Sequence, residues 1–151
     1  EDFRQHVSDV DASVKAAEQR IVQITSELST QKVIQKHCDS YRLCRKVIED
    51  CKSAKNLKAY RTKHQAEYQL HDSLKKELQD LGITKIPSSN KIQKRIEHLE
   101  SEQAATVREK QELQKKQKTL DIIQQNFTVL LNAPHISNND INRTVAPPLQ
   151  H

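Results

Sequence analysis

Apolar residues recur three and four positions apart along most of this 151-residue chain. The first stripe is formed by Val7, Val10, Val14, Ala17, Ile21, Ile24 and Leu28; a second by Leu57, Tyr60, His64, Leu74, Leu78 and Leu81; and a third by Ile92, Ile96, Leu99, Leu113, Leu120, Phe127 and Leu131. This alternation is the a/d seam of a coiled coil, in which one narrow apolar edge of a solvated helix packs against another helix. The pattern predicts an all-α interaction rod rather than an enzyme core.

The composition agrees with long, solvated helices. The chain has one Gly, four Pro, no Trp and no Met, and its hydrophobic content of 34% lies below the share of nearly half that is usual in globular domains. The cysteines at 38, 44 and 51 are six and seven residues apart, which favours small apolar fillers beside a seam over a metal site. We expect a cytoplasmic segment without cofactor or membrane span. Because no signal peptide opens the chain at Glu1, we also expect it to be part of a longer protein.

One strong stop and restart signal lies inside the stripes. Gly82 after Leu81 predicts a helix end, Pro87 cannot continue a helix, and Ser88 or Ser89 can cap the next one. The signal predicts that the chain reverses between residues 82 and 88. The coiled-coil domain would then span residues 1–131, followed by a disordered tail at 132–151 that has no periodicity.

The sequence allows two alternatives for the first helix, which is either continuous or broken by a turn. The favoured one is an antiparallel coiled-coil hairpin of a continuous helix over about 8–81 and a second helix over 88–131, with Leu113 beside Leu57. The other is a three-helix antiparallel bundle with a turn near Asn56, where the seam slips phase in residues 53–56. In the first alternative the returning helix ends near residue 38, so residues 7–28 lack a complete partner within the chain. They are expected to pair with another copy of the chain or with a domain upstream of it.

Positive charge is concentrated in two clusters. The 42–63 cluster consists of Arg42, Arg45, Lys46, Lys52, Lys55, Lys58, Arg61 and Lys63, and the 108–118 cluster consists of Arg108, Lys110, Lys115, Lys116 and Lys118. The hairpin register predicts that the two clusters converge into one basic patch near Tyr41 and Tyr60. Basic helices of this kind can follow a phosphate backbone, so all members except Arg108 are candidate nucleic-acid contacts. The alternatives are that the cations only solvate helix faces and that the tyrosines pack in the seam.

The order of several segments resembles a known family, the C-terminal helical region of relaxases, which are mobilisation nucleases of conjugative and mobilisable elements in Firmicutes and related bacteria. The similar segments are Tyr41–Ile48, Lys55–His64, Glu67, Leu81-Gly82-Ile83, Ile86-Pro87-Ser88, Glu97-His98-Leu99, Glu102, Ile123–Phe127 and Leu130-Leu131. They extend over about residues 5–131.

The resemblance implies a non-catalytic part of a DNA-processing enzyme. In that family a separate N-terminal domain carries a nucleophilic tyrosine and a histidine cluster that holds a divalent metal. Neither can be placed on this chain, because Tyr41, Tyr60 and Tyr68 have no His pair beside them in sequence. The expected role is contact with DNA, or docking on accessory proteins or the coupling protein of a conjugation machine. The competing hypothesis from the residues is a structural coiled-coil adaptor or dimerisation module unrelated to DNA.

Overall fold

The computed structural model describes residues 2–132, and every regular element in that range is helical. The helices are α1 (Phe3–Asp50), α2 (Leu57–Lys63), α3 (Gln65–Asp80) and α4 (Ser89–Asn132), with a 3₁₀ turn at Cys51–Ser53. The predicted all-α class is therefore confirmed. The predicted tail at 132–151 lies outside the described residues, apart from its first residue, which is the last of α4.

The helix α1 is the longest helix among residues 2–132, and both α3 and α4 pack against it. Its 48 residues correspond to a length of about 72 Å, and the carboxylate of Asp2 caps its start by accepting from the Arg4 backbone N–H at 3.1 Å. It ends at Asp50, so the favoured prediction of a continuous helix over 8–81 is wrong. The turn predicted as the alternative, near Asn56, is present.

The reversal between α1 and α2 needs neither Gly nor Pro. Ala54 and Asn56 adopt extended backbone conformations, with φ/ψ of −74°/135° and −129°/102°. The Asn56 side chain then accepts from the Ala59 backbone N–H at 3.2 Å and caps α2. Two extended residues and an Asn cap are enough to turn the chain back along α1.

The helix α3 runs antiparallel to the last third of α1. His37 on α1 contacts Glu77 at 3.2 Å, and the ring of Tyr41 stacks on His71 with centroids 4.7 Å apart. The pairing moves toward the start of α1 as α3 proceeds, which defines the antiparallel direction.

The helix α4 also runs antiparallel to α1, on the segment that α3 leaves free. Gln35 donates to Gln93 at 2.7 Å near the start of α4, and Gln117 donates to Asp11 at 2.7 Å far along it. The second arm of the hairpin therefore consists of α2, α3 and α4 in succession, while α1 alone forms the first arm.

The prediction that the chain reverses at residues 82–88 is therefore wrong. The local signals are correct: Gly82 has φ +82°, the Ile83 backbone N–H donates to the Leu78 carbonyl at 2.8 Å, and Ser88 caps α4. The segment is nevertheless a joint between two helices that point the same way, and the Arg42 guanidinium donates to the Pro87 carbonyl across it. This course places the 44-residue α4 along α1 from Asp39, which accepts from the Ser89 hydroxyl at 3.4 Å, back past Asp11, whereas the 16-residue α3 could cover only a fraction of that length.

The seam over residues 7–28 consequently has a partner inside the chain. Val10, Val14 and Ala17 are each 6% exposed, and Ile24 and Leu28 are buried as well. Because α4 covers this seam, the predicted lack of a partner within the chain for residues 7–28 is wrong, while self-association through them stays a prediction.

A hydrophobic core cluster lies where α3 ends and α4 begins along α1. It contains Ile24, Leu28, Ile34, Cys38, Leu78, Ile92, Ile96 and Leu99, with Ile83 and Ile86 of the joint packed against it. All three cysteines are buried and free, which confirms their prediction as small apolar fillers.

A ladder of polar pairs sets the register of α1 against α4. Gln103 donates to the Thr25 hydroxyl at 3.0 Å, Lys110 contacts Glu18 at 3.6 Å, and Gln117 donates to Asp11. The members are seven residues apart on both helices, so each rung occupies the equivalent heptad position. If α4 shifted along α1 by one heptad, the pairs would still be polar but each residue would have a different partner. A shift of three or four residues would place the polar residues of α4 opposite apolar side chains of α1.

Candidate nucleic-acid interface

The turn at the end of α1 carries a compact group of cations, which we call the basic tip: Lys52, Lys55, Lys58, Arg61 and Lys63. All five side chains are exposed, and residues 51–66 contain no Asp or Glu. Among the ion pairs of residues 2–132, none involves a member of the basic tip. The end of the rod therefore concentrates positive charge that no salt bridge of the described range offsets, with Asp50 and Glu67 as the flanking acidic residues near Tyr60.

The short helix α2 carries a shallow surface groove beside the cations of the basic tip. Asn56, Lys58, Ala59, Thr62 and Lys63 line this groove, and the Thr62 hydroxyl is tied to the Lys58 carbonyl at 2.9 Å. Two of its five lining residues, Lys58 and Lys63, are cationic, and the groove is open to solvent.

The aromatic rings at this end of the rod are engaged by the protein. The Tyr60 hydroxyl donates to the Val47 carbonyl at 2.6 Å, and its ring lies against His64 with centroids 4.4 Å apart. Burial raises the pKa of Tyr60, and the nearby Asp50 raises it further, so the hydroxyl remains a donor. The Tyr68 ring lies under the Arg61 guanidinium at 5.8 Å. Of the two interpretations left open for Tyr41 and Tyr60, the geometry therefore supports packing within the protein over contact with nucleic acid.

The other members of the 42–63 cluster have structural contacts or lie apart from the tip. Arg42 bonds the joint and contacts Asp39 at 3.3 Å, and Arg45 pairs with Glu49 at 3.1 Å. Lys46 is exposed one turn before α1 ends. Only five of the eight candidates in this cluster therefore belong to the basic tip.

The 108–118 cluster lies far from the tip, so the predicted convergence of the two clusters is wrong. Lys110 pairs with Glu18, and Gln117 lies beside Asp11, so this part of α4 faces the beginning of α1. About 35 residues of α1 separate that region from its end, which corresponds to about 50 Å. Lys115 is neutralised by Glu112 at 2.9 Å, while Lys116 and Lys118 are exposed on α4.

The reason for this error is the misplaced reversal. With the turn at residues 82–88, α4 would face α3 and bring the two clusters together; with the turn at 53–56, it faces the start of α1 instead. The absence of acidic residues from 51 to 66 was the signal in the sequence that separates the tip from the rest of its cluster.

Within residues 2–132 no three His, Cys, Asp or Glu side chains are grouped closely enough to hold a metal ion. None of the helices between Asp2 and Asn132 combines the length and hydropathy of a membrane-spanning segment. Comparison of the chain with protein-family models, curated proteins and solved structures found no match.

Proposed function

We propose that this chain is the non-catalytic helical region of a DNA relaxase used in plasmid or transposon mobilisation, and that its basic tip contacts the DNA backbone. The single observation that carries the DNA contact is the group of five exposed cations with no acidic residue from 51 to 66. The relaxase assignment rests on the order of segments that resembles that family. The parent protein would carry the nuclease chemistry in another domain, and docking on accessory or coupling proteins is the further role implied by the resemblance.

The tip favours contact with phosphates over contact with bases. Proteins that hold single strands without sequence preference stack bases on free aromatic rings, but Tyr60 and Tyr68 are engaged by His64 and Arg61. Lysine-rich surfaces neutralise phosphates and release counterions, which gives affinity that falls with salt and carries little sequence information. We therefore expect weak binding to duplex DNA, with no gain for single strands.

Salt-dependent binding to a 20-base-pair duplex, followed by fluorescence anisotropy, tests this proposal. Each phosphate contact contributes about 0.9 to the slope of log affinity against log salt, so replacing four contacting cations lowers the slope by about 3.6. The variant changes Lys52, Lys55, Lys58 and Lys63 to Gln. The matched control changes Arg108, Lys115, Lys116 and Lys118 to Gln, which removes the same charge about 50 Å away.

The expected result is a flattened slope for the tip variant and a nearly unchanged slope for the control. Equal losses in both variants would mean that net charge alone attracts the DNA. No binding by the unmodified chain at 50 mM salt or below would contradict DNA contact and favour the adaptor function. A nuclease domain in the parent protein would support the relaxase assignment independently of the binding result.

A further inference from the structure

The end of the rod opposite the tip is the most apolar surface of the described chain. Of the thirteen large hydrophobic residues that are exposed, seven lie at this end, and we call them the apolar end: Phe3, Ile122, Ile123, Phe127, Val129, Leu130 and Leu131. The other six are spread over residues 22–81. Scattered exposed hydrophobics are normal, but a contiguous group of this size marks an interaction surface.

The helix α1 alone cannot cover the apolar side chains in the last three turns of α4. At about 100° per residue, the apolar side chains between Ile122 and Leu131 are spread over about 200° of the helix surface, and residues 122–132 contain no charged side chain. One neighbouring helix covers only a narrow seam, so an apolar face of this width requires a further partner. Among residues 2–132 its neighbour is the start of α1, where Asp2, Phe3 and Arg4 line a groove together with Ile123, Phe127 and Leu131.

We infer that a second copy of this chain covers the apolar end, so that two rods join end to end. The exposed fractions run from 38% for Phe3 to 74% for Leu130. At roughly 150–200 Å² per large apolar side chain, the apolar end offers about 700 Å² per copy, or about 1,400 Å² for a pair. This lies within the range of about 1,200–2,000 Å² that stable protein interfaces bury.

Charge also favours a second copy as the occupant. The chain carries a net charge of +5, which opposes association in general, yet the 122–132 segment that would meet its own copy carries none. A two-fold axis through the apolar end would set two α4 ends and two α1 starts into a four-helix arrangement that continues the α1–α4 seam. The same axis leaves both basic tips pointing outward, at the greatest distance from each other.

Sedimentation equilibrium of the full chain tests the inference. We expect a reversible dimer, and we expect Phe127→Glu together with Leu130→Glu to weaken dimerisation by at least 100-fold. The matched control is Val22→Glu together with Leu43→Glu, at side chains that are 68% and 70% exposed on α1. It introduces the same charges at equally exposed apolar positions, and should leave the dimer intact. Circular dichroism checks that both variants stay helical.

Inter-chain distances test the geometry. Because the native thiols are buried, a cysteine introduced at the exposed position Gln125 can be spin-labelled selectively. The inference expects an inter-chain distance below about 40 Å for a label at Gln125→Cys, and none within the measurable range of about 80 Å for a label at Lys58→Cys, given rods of about 72 Å each.

Three results would overturn the inference. One is a monomer at millimolar concentration, including a monomer that instead co-sediments with neutral phosphatidylcholine vesicles, which would make a lipid surface the occupant. Another is equal dissociation of the apolar-end variant and the control. The last is a short inter-chain distance at Lys58→Cys without one at Gln125→Cys.

Discussion

Replacing Leu99 by Ala tests how α4 is placed against α1. Leu99 is 1% exposed and belongs to the cluster that contains Ile24 and Leu28 of α1. Truncating a buried Leu removes its transfer free energy and leaves a cavity, at a cost of about 2–5 kcal/mol. Because a rod two helices thick can relax around the cavity more easily than a globular core, we expect about 3 kcal/mol for Leu99→Ala.

Urea unfolding followed by circular dichroism provides the measurement. With a slope of about 2 kcal/mol per molar urea, a loss of 3 kcal/mol lowers the unfolding midpoint by about 1.5 M. The control is Leu43→Ala, because Leu43 is 70% exposed on α1 and its truncation should cost less than about 0.5 kcal/mol. A cost below about 1 kcal/mol for Leu99→Ala, or equal costs for both variants, would refute the packing described here.

Hydrogen exchange of the Leu99→Ala variant distinguishes the two registers. The structure places Leu99 against the middle of α1, so amide exchange should rise around residues 20–30. In the register predicted from the sequence, Leu99 would instead face the region of His71 on α3. Faster exchange confined to α3 and α4 would support that register.

Two further predictions concern titratable groups. Burial raises the pKa of the Cys38 and Cys44 thiols, so both should react with a disulfide reagent at pH 8 far more slowly in the native chain than in urea; equal rates would contradict their burial. The pKa of Glu67 is lowered from its ordinary 4.5, first by its own backbone N–H and then by His64. A depressed pKa contributes stability above the ordinary value that is lost as the pH falls below 4.5, so Glu67→Gln should weaken the fold at pH 6 and make no difference at pH 2, as measured by thermal unfolding.

The helices could be predicted from the sequence because their causes are local. The apolar spacing, Gly82 and the Ser88 cap all act within a few residues, and the structure has each of them where the sequence indicates. The polar seam residues of α4 were also visible in the sequence, since Gln103, Lys110 and Gln117 occupy seam positions.

The pairing of the helices could not be predicted in the same way because it depends on distant partners. A Gly and a Pro at residues 82–88 end and restart helices equally well in a reversal and in a joint. The true reversal at Ala54–Asn56 contains neither, and only the capping bond of Asn56 distinguishes it. The polar ladder decides the register, but its partners Thr25, Glu18 and Asp11 lie on a seam that offers many polar residues. The predicted convergence of the two basic clusters was wrong because it depended on the wrong helix pairing. The concentration of Lys and Arg in residues 51–66, without Asp or Glu, is visible in the sequence itself.

The joint at residues 81–88 interrupts one arm of the hairpin and leaves the other intact, which divides the molecule into units that can open separately. The helix α3 buries only Leu74 and Leu78, whereas α4 buries five residues along its length. Because opening a unit costs less when it buries fewer side chains in total, we expect α2 and α3 to leave α1 at a lower free-energy cost than α4. Because α2 and the residues just before it carry the basic tip, we expect its five cations to change direction with such an opening, without loss of the α1–α4 coiled coil.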